Sequence, residues 1–314
     1  MDDIKAKALR TLLLPADLLL RRFVFNTSPP PVAQLFKEIQ YGTDVEQRMD
    51  IIVPHGEPPF PVLLYFHGGG WISGDKGSYE RICRSLATNG FLTCNVNYRL
   101  APRHRFPAQV QDVASAVAWM CRHALRYGGD GSKVILAGDS AGAHLASWYA
   151  TCLCDDSLRD AARIEAPLLP RQHLKGILLF YGIYDLDKAL ARKFPFIRLY
   201  VQSLLGARNQ AYAQRAGLAS PARHVCRDLP PVFLCAGEKD GLFPESIAYA
   251  QRLKDQGVDI STLFFRRHEH AEAFHGFLYL HGNACSQLAL DEAGKFLRRC
   301  CEKARKSRHL TSSK

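Results

Sequence analysis

The sequence has no apolar run long enough to cross a bilayer, no internal repeat and no low-complexity tract. Its most leucine-rich segment, L-L-L-P-A-D-L-L-L, contains Pro15 and Asp17, whereas a spanning helix needs about 20 mostly apolar residues. No small-residue cleavage site follows, so the segment does not match a signal peptide. We therefore expect no stable membrane insertion and interpret residues 9–23 as an amphipathic helix resting on the protein's own body. Because Arg21 and Arg22 follow the leucines, contact with a membrane surface stays open.

The ten cysteines include no C-x-x-C pair, and several of them lie inside apolar runs such as F-L-T-C-N-V. Free thiols of that kind behave as small apolar side chains, whereas disulfide frameworks are typical of small secreted chains. The sequence also lacks the H-E-x-x-H spacing of zinc hydrolases. We therefore expect reduced cysteines, a cytoplasmic location and no metal.

Acidic residues are too few to balance the basic ones: 41 Lys and Arg against 30 Asp and Glu give a formal net charge of +11. Much of the excess lies in residues 5–22 and 298–314, near the two ends of the sequence. No nucleic-acid-binding module accompanies it, so we interpret the charge as favouring solubility or weak attraction to anionic surfaces. Nucleic acid is not expected as a partner, and a homodimer stays open.

The order of apolar segments predicts an α/β fold. Continuous apolar runs are typical of parallel strands buried on both faces, and five occur at 61–66, 92–96, 133–137, 176–180 and 232–236. Residues 46–53 alternate instead, which predicts a half-exposed antiparallel strand. Helical patterns such as that of residues 107–127 separate the runs, so we expect a mostly parallel sheet flanked by helices, with right-handed crossovers.

Residues 186–217 interrupt this alternation, because they are rich in Arg, Tyr, Phe and Leu but contain no strand candidate. The segment lies between two predicted strands, and ligands of open α/β sheets bind at the carboxyl edge of the strands. We therefore predict a helical insertion that covers this edge.

The pentapeptide G-D-S-A-G places Ser140 between the apolar run K-V-I-L-A and a segment with helical character. A strand–turn–helix of this kind is the context of a nucleophile elbow, in which the serine hydroxyl is exposed at the edge of the sheet. The tight turn leaves little room for side chains two residues before and after the serine, where Gly138 and Gly142 stand. A helix-capping serine fits the same pattern, so the motif alone leaves the role of Ser140 open.

Three glycines follow the apolar run P-V-L-L-Y-F and His67, in the sequence H-G-G-G-W. Consecutive glycines let backbone N–H groups approach a ligand oxygen closely, as an oxyanion hole requires. We predict Gly68 and Gly69 as oxyanion donors, together with Ala141 at the start of the helix. A phosphate-binding loop is the alternative, but no Walker Lys-Ser/Thr pair follows the glycines.

The segments after the predicted strand at 232–236 and after a last predicted strand, S-T-L-F-F at 261–265, supply an acid and a base for the serine. Asp240 follows V-F-L-C-A-G closely, and its rival Asp185 precedes the insertion. The segment R-R-H-E-H-A-E-A-F-H-G-F contains three histidines, of which His268 and His270 lie among charged residues. His275 is followed by a glycine and a phenylalanine that could hold it against the sheet edge, which favours it as the base. The order Ser, Asp, His is that of an α/β-hydrolase triad.

The sequence resembles the hormone-sensitive-lipase-like carboxylesterases in six motifs: H-G-G-G-W, N-Y-R-L-A-P with F-P-A and Asp112, G-D-S-A-G, S-P-A-R, L-P-P-V-F-L-C-A-G-E-K-D and F-H-G-F. The resemblance extends from about Tyr65 to Phe277. It implies an α/β-hydrolase fold and hydrolysis of short-chain acyl esters without a cofactor. It also implies a triad of Ser140, Asp240 and His275, with oxyanion donors at Gly68, Gly69 and Ala141.

The resemblance further implies a cap built from an N-terminal arm and the insertion. We accordingly divide the chain into an arm at 1–45, a core at 46–185 and 219–314, and a cap insertion at 186–218. The sequence departs from the family pattern in three places: an alanine after G-D-S-A-G where a further glycine is usual, Gly241 after the acid where proline is usual, and a long charged segment before His275.

These features together predict a serine carboxylesterase whose partner is a small, mostly apolar ester. An amidase, formamidase or deacetylase on the same fold would use the same residues. A non-catalytic small-molecule-binding protein would keep the pocket but lose the serine or the histidine. Because the chain retains a candidate for every member of the triad, the sequence favours an enzyme.

Overall fold

An eight-stranded sheet forms the centre of the protein. The computed structural model describes residues 3–6, 8, 9, 11 and 19–311. The strands are β1 Gln34–Gln40, β2 Arg48–Val53, β3 Phe60–Phe66, β4 Leu92–Val96, β5 Gly129–Asp139, β6 Leu174–Phe180, β7 Val232–Gly237 and β8 Ile260–Phe265. Their order is β1-β2-β4-β3-β5-β6-β7-β8. The pairs β1–β2 and β2–β4 are antiparallel, and all the other neighbours pair in parallel.

Helices cover both faces of the sheet. They are α1 Glu80–Ala87, α2 Ala108–His123, α3 Ala141–Cys152, α4 Asp156–Ala161, α5 Leu186–Ala189, α6 Ile197–Leu205, α7 Tyr212–Leu218, α8 Phe243–Asp255 and α9 Ala284–Thr311. Single turns of other helix types occur at Arg21–Phe25, Lys76–Ser78, Ala124–Tyr127, Arg171–His173, Pro221–Arg223 and Phe277–Tyr279. Helices α1 and α9 pack on one face of the sheet, and α2, α3 and α8 pack on the other.

The continuous apolar runs account for the parallel part of the sheet. Each of the five predicted runs lies within one of the strands β3 to β7. Across the central pair, Leu64 of β3 lies opposite Leu136 of β5, and both side chains are fully buried. Helices cover both faces of these strands, so their side chains are buried on both faces; in β4 this includes the polar residues Thr93 and Asn95. The α/β fold predicted from the sequence is confirmed.

Strand β2 departs from the prediction of a half-exposed strand, because its four residues from Met49 to Ile52 are all buried. Strand β1 pairs with its outer edge and shields it. The Asp50 carboxylate, which gave the segment its alternating pattern, lies 2.7 Å from the Lys76 ammonium and is nearly inaccessible to solvent. The predicted antiparallel strand is confirmed, but its predicted half exposure is wrong, because Asp50 was taken as exposed when it is buried and ion-paired.

The predicted arm boundary at residue 45 is also wrong, because Gln34–Gln40 forms the edge strand β1 and belongs to the sheet. Of the segment before β1, Ala6 is buried against Ile72 and Ala101. The predicted helical leucines at 12 and 13 lie outside the described residues. Between β6 and β7, the insertion contains α5, α6 and α7.

Cys154 and Cys226 form a disulfide, so the prediction of reduced cysteines is wrong for this pair. The two residues are 72 positions apart in the chain, and nothing in the sequence pattern brings them together. Cys83, Cys94 and Cys235 are free buried thiols, as predicted. Over the ranges that the structure describes, no helix combines the length and apolarity needed to pass through a bilayer.

Candidate active site

Ser140 lies at the carboxyl edge of the sheet, where the chain turns from β5 into α3. Its φ of 49° and ψ of −115° are unusual for a residue with a side chain, and strain of this kind is typical of a nucleophile elbow. The Ser140 N–H donates to the Phe180 carbonyl at the end of β6 (2.9 Å), which holds the turn against the sheet. The turn therefore fixes the serine beside the ends of two strands.

Two glycines allow this turn to pack against β3. A Cβ atom on Gly142 would lie well inside van der Waals contact with the Phe66 carbonyl oxygen, and one on Gly138 would meet the backbone of Gly142. Both contacts involve backbone atoms, which cannot move aside without displacing a strand. The close approach of β3, β5 and α3 therefore requires glycine at both positions.

His275 and Asp240 complete a chain of hydrogen bonds with the serine. The Nε2 atom of His275 lies 3.0 Å from Ser140 Oγ, and Nδ1 lies 2.7 Å from Asp240 Oδ2. A carboxylate can only accept, so Nδ1 carries the proton and Nε2 directs its lone pair towards the hydroxyl. The Asp240 side chain is fully buried, and its other oxygen accepts from the Leu242 N–H at 2.8 Å. The acid is thus held in one orientation.

The rival candidates occupy other positions. Asp185 caps the start of α5 by accepting from the Lys188 N–H, and it pairs with Arg223. His268 is exposed and lies 3.3 Å from Glu269. His270 packs edge-on against a phenylalanine of β8. Neither these histidines nor Asp185 is hydrogen-bonded to the serine.

Within the described ranges, one group has the donor types of a metal site: His270, Glu272 and Cys285, whose ligand atoms lie within 4.8 Å of one another. Burial raises the pKa of the Cys285 thiol to about 11.

The glycine loop, residues 67–71, runs beside the serine. The Gly68 N–H donates to the Tyr79 hydroxyl (2.8 Å) and to Asp139 Oδ1 (3.0 Å), away from the cavity. This arrangement disagrees with the prediction of Gly68 as an oxyanion donor, because its N–H already has two buried acceptors. Gly69, with φ of 110°, and Gly70 line the cavity together with Ser140. Neither of their N–H groups has a protein acceptor within the part of the chain that the structure describes.

Asp139, directly before the serine, is a buried residue to which the sequence analysis gave no role. Its carboxyl group accepts from the hydroxyls of Tyr65 (3.1 Å) and Tyr79 (3.2 Å) as well as from the Gly68 N–H. Burial raises the pKa of Asp139 to about 7, although these hydrogen bonds act in the opposite direction. The Tyr79 hydroxyl in turn accepts from Tyr279, which lines the cavity. One carboxyl group therefore links the turn at Ser140 to the glycine loop.

His144 on α3 forms a second link that the sequence analysis missed. Its Nδ1 accepts from the Trp71 indole N–H (3.3 Å), and its Nε2 donates to the Ala219 carbonyl (2.6 Å). Burial lowers the pKa of His144 to about 4, so the ring is neutral near pH 7. It joins the glycine loop, α3 and the end of the insertion. A histidine within the apolar helix segment A-G-A-H-L-A was the signal available in the sequence.

A cavity of about 450 Å³ opens above these groups. Ser140, His275, Gly69 and Gly70 form its base. Its walls are mostly apolar, and they are contributed by the N-terminal segment, the insertion and the loops after β6 and β8: Leu20, Val24, Phe25, Tyr181, Ile183, Phe194, Tyr200, Phe274, Tyr279 and Leu280. The hydroxyl and the imidazole therefore face an apolar space of the size of a small ligand.

A family model described as the alpha/beta hydrolase fold matches residues 63–278, from β3 to just beyond His275. The chain belongs to this family. Esterase LipC of Mycobacterium tuberculosis is 28% identical over 81% of this α/β-hydrolase and 65% of its own length. Esterase LipQ of the same species is 32% identical over 76% of this chain and 55% of its own length. The crystal structure of an inhibited esterase B from Lactobacillus rhamnosis has a TM-score of 0.85 at 22% identity, with 98% of each chain covered.

The α/β-hydrolase spans about half to two thirds of the length of these curated relatives. The matched residues include the motifs from H-G-G-G-W to F-H-G-F, and both relatives are named esterases. The predicted resemblance to hormone-sensitive-lipase-like carboxylesterases is thereby confirmed. The likeness to esterase B shows that the fold extends over nearly the whole chain.

Proposed function

We propose that the protein is a serine carboxylesterase that hydrolyses short-chain acyl esters through an acyl-enzyme intermediate. One arrangement carries the proposal, the hydrogen-bonded chain of Ser140, His275 and Asp240 beside an apolar cavity. The imidazole of His275 lies 3.0 Å from the serine hydroxyl and 2.7 Å from the carboxylate. The esterase names of LipC and LipQ support the same class of reaction. These three residues are accordingly the proposed catalytic triad.

In the first half-reaction, Ser140 Oγ attacks the ester carbonyl while His275 Nε2 takes its proton. Asp240 accepts from Nδ1–H and stabilises the imidazolium that forms. The same nitrogen then gives its proton to the leaving alcohol, and the C–O bond of the ester breaks. Water deprotonated by His275 attacks the acyl-enzyme in the second half-reaction, which releases the acid and restores the serine.

The oxyanion of each tetrahedral intermediate needs N–H donors beside Ser140. We assign Gly69, Gly70 and Ala141 to this role, with Gly70 replacing the predicted Gly68. The absence of protein acceptors for the Gly69 and Gly70 N–H groups, among the described residues, supports this choice. Ala141 is the first residue of α3, and the first N–H groups of a helix have no intrahelical partner. No step in this mechanism requires a cofactor.

The N-terminal segment before β1 and the insertion at 186–218 form the proposed cap. The contribution of Leu20, Phe194 and Tyr200 to the cavity walls supports this division. A mostly apolar wall and a volume near 450 Å³ favour a short acyl chain and a small alcohol.

A cytoplasmic location is part of the proposal, and the free buried thiols Cys83, Cys94 and Cys235 support it. The disulfide between Cys154 and Cys226 opposes it, because a reducing compartment keeps such pairs reduced. Thiol alkylation of the protein directly upon lysis of its native cells tests the location: a cytoplasmic protein is alkylated at both residues.

Turnover of p-nitrophenyl acetate, butyrate and octanoate by the wild type and Ser140→Ala tests the function. We expect faster turnover of the two shorter esters, and a fall of at least about 10⁴-fold in kcat for the variant, because no other group can form the acyl-enzyme. Undiminished activity in the variant would exclude Ser140 as the nucleophile. Matched amides provide the control for reaction class, since an amidase or deacetylase would hydrolyse them with comparable kcat/KM.

A further inference from the structure

Exposed apolar side chains gather at the mouth of the cavity. Ten large apolar residues are exposed among those described, and half belong to segments that border the cavity: Leu19, Leu20, Phe23, Phe196 and Phe274. Leu20 and Phe274 line the cavity itself, and Phe196 lies one helical turn before the lining residue Tyr200. Phe23 and Phe274 also line a neighbouring cavity together, and exposed apolar side chains that share a region of the surface mark an interaction site more often than singly scattered ones do. We call these five residues the rim.

Phe196 is the rim residue that folding explains least. It precedes α6 with φ of 59° and ψ of 11°, a conformation that favours glycine and asparagine. Its side chain is 59% exposed, so burial within the chain does not offset the backbone strain. Phe196 thus departs from local preference in two ways, as an apolar residue that is exposed and as a non-glycine residue with a positive φ. Departures of this kind are expected at functional sites. An apolar surface outside the chain would supply the missing contact.

Basic side chains surround the rim. Lys193 and Arg198 flank Phe196 in the sequence and are exposed, and neither has an ion-pair partner in the ranges that the structure covers. Lys239 is exposed as well, and Gly241, two residues later, packs against the backbone of Lys193. The neighbouring acid Glu238 is already paired with an arginine. The mouth of the cavity therefore combines apolar side chains with three exposed basic ones, and the acids beside it are Glu238, which is ion-paired, and Glu272, two residues before Phe274.

We propose that this rim docks on an anionic lipid bilayer and that the cavity takes its acyl ester from that surface. Apolar side chains set among basic ones are the composition with which proteins bind the interface of anionic membranes. A second copy of the chain is a poorer occupant, because a two-fold contact at the rim would bring Lys193 and Arg198 close to their own copies. The choice of ester rests on the proposed esterase function, whereas the docking does not.

Vesicle binding tests the docking without depending on catalysis. Ser140→Ala is sedimented with vesicles of phosphatidylcholine alone and of phosphatidylcholine mixed with phosphatidylglycerol, and we expect tighter binding to the anionic vesicles. Adding Lys193→Glu and Arg198→Glu should weaken that binding by at least about 25-fold, since each basic residue near an anionic surface contributes a factor of about five. Adding Phe196→Asn should weaken it about tenfold through lost apolar burial. Asparagine suits both the backbone angles and the first position of a helix, so this variant should fold at least as well as the wild type.

Matched controls lie at the opposite edge of the sheet, in and next to the turn that precedes β5. Leu125, which is 83% exposed, takes the same change to asparagine, and Arg122 and Arg126 take the same changes to glutamate. We expect none of these controls to alter vesicle binding. Equal losses in control and rim variants would overturn the proposal, as would the absence of binding to anionic vesicles.

Two further measurements separate docking from catalysis and from self-association. Phe196→Asn, in the chain with an intact serine, should retain kcat/KM on soluble p-nitrophenyl butyrate but lose about tenfold in rate on the same class of ester embedded in anionic vesicles. Turnover of the soluble ester by a protein that binds no vesicles would refute the docking alone. Vesicle binding without any ester turnover would refute the esterase proposal alone. A dimer in size-exclusion chromatography that Phe196→Asn dissociates would assign the rim to a second copy and overturn the docking.

Discussion

The base of the cavity and its walls are held by different interactions. At the base, the buried polar groups of Asp139, His144 and Asp240 each have hydrogen-bond partners within the protein. The roof, which we define as residues 19–25 and the insertion at 186–218, meets the cavity with apolar side chains instead.

This difference suits the base to positioning the reacting groups and the roof to choosing the substrate. Hydrogen bonds fix the distance and angle between two groups, whereas apolar contacts tolerate changes of shape at small cost when volume is kept. Under the proposed function, the base therefore determines what chemistry the site performs, and the roof determines which ester reaches it. Substitutions in the two regions should consequently differ in kind as well as in size.

The largest expected effect concerns the acid. Asp240→Asn should lower kcat by about 10⁴-fold, because an amide can donate to Nδ1 and stabilise the imidazole with its proton on the wrong nitrogen. Ester turnover of the purified variant measures it. The matched control is Asp185→Asn, which changes the rival acid in the same way and should leave kcat within a few-fold of the wild type. A reversed result would make Asp185 the acid.

The next effect concerns packing at the base. Gly142→Ala should destabilise the fold by more than about 4 kcal/mol, because the new methyl group overlaps the Phe66 carbonyl oxygen and only a shift of β3 or α3 relieves the overlap. Urea unfolding, or the yield of folded protein, measures it. Gly282→Ala, where no atom lies within 4 Å of the new methyl group, should be neutral. A folded Gly142→Ala variant of wild-type stability would contradict the described packing.

A smaller effect, dependent on pH, is expected at Asp139. Burial raises the pKa of this group from 3.8 to about 7 in the folded protein. Its contribution to stability is therefore complete below pH 3.8 and is lost as pH rises towards 7, by up to about 4 kcal/mol. Asp139→Asn cannot ionise, so the free energy of unfolding of the wild type should fall relative to the variant across this range. If the free energy of unfolding varied with pH in the same way for both proteins, a raised pKa of Asp139 would be excluded.

The smallest effect concerns the roof. Tyr200→Ala should enlarge the cavity beside Gly70 and shift preference towards longer acyl chains by about tenfold, while the triad stays intact. The measurement is the ratio of kcat/KM on octanoate to that on butyrate, which does not depend on the amount of active enzyme. An unchanged ratio with a large fall in kcat would place Tyr200 with the base rather than the roof.

The sequence predicted the base better than the roof, for a physical reason. Runs of apolar residues between glycine turns place strand ends at one edge, so Ser140, Asp240 and His275 could be proposed from their positions after predicted strands. The hydrogen-bond partners of buried groups were not accessible in the same way. The Gly68 N–H meets Tyr79 and Asp139 because β3, β5 and the segment before α1 converge in space, which no local pattern records.

The errors in the outer elements have a related cause. The edge strand β1 is mostly polar and half-exposed, so residues 34–40 carried no apolar run to identify them. Asp50 resembled an exposed residue until the fold supplied Lys76 as its buried partner. The disulfide between Cys154 and Cys226 joins two loops whose proximity depends on the whole sheet. Long-range pairs of this kind are set by tertiary packing, and local sequence signals do not encode them.

The contact between Gly142 and the Phe66 carbonyl limits how far the ends of β3 and β5 can move relative to each other. Strands β3 and β5 are direct neighbours in register, with Phe66 opposite Gly138, and neighbouring strands are separated by roughly 4.8 Å. Ser140 follows one strand and the glycine loop follows the other, so the gap proposed to receive the ester carbonyl starts from an interstrand spacing, and the hydrogen bonds of Asp139 and His144 to the glycine loop set the rest. A descendant of this chain can therefore exchange its roof without realigning the proposed triad, provided that the carbonyl held by His144 at the end of the insertion is kept.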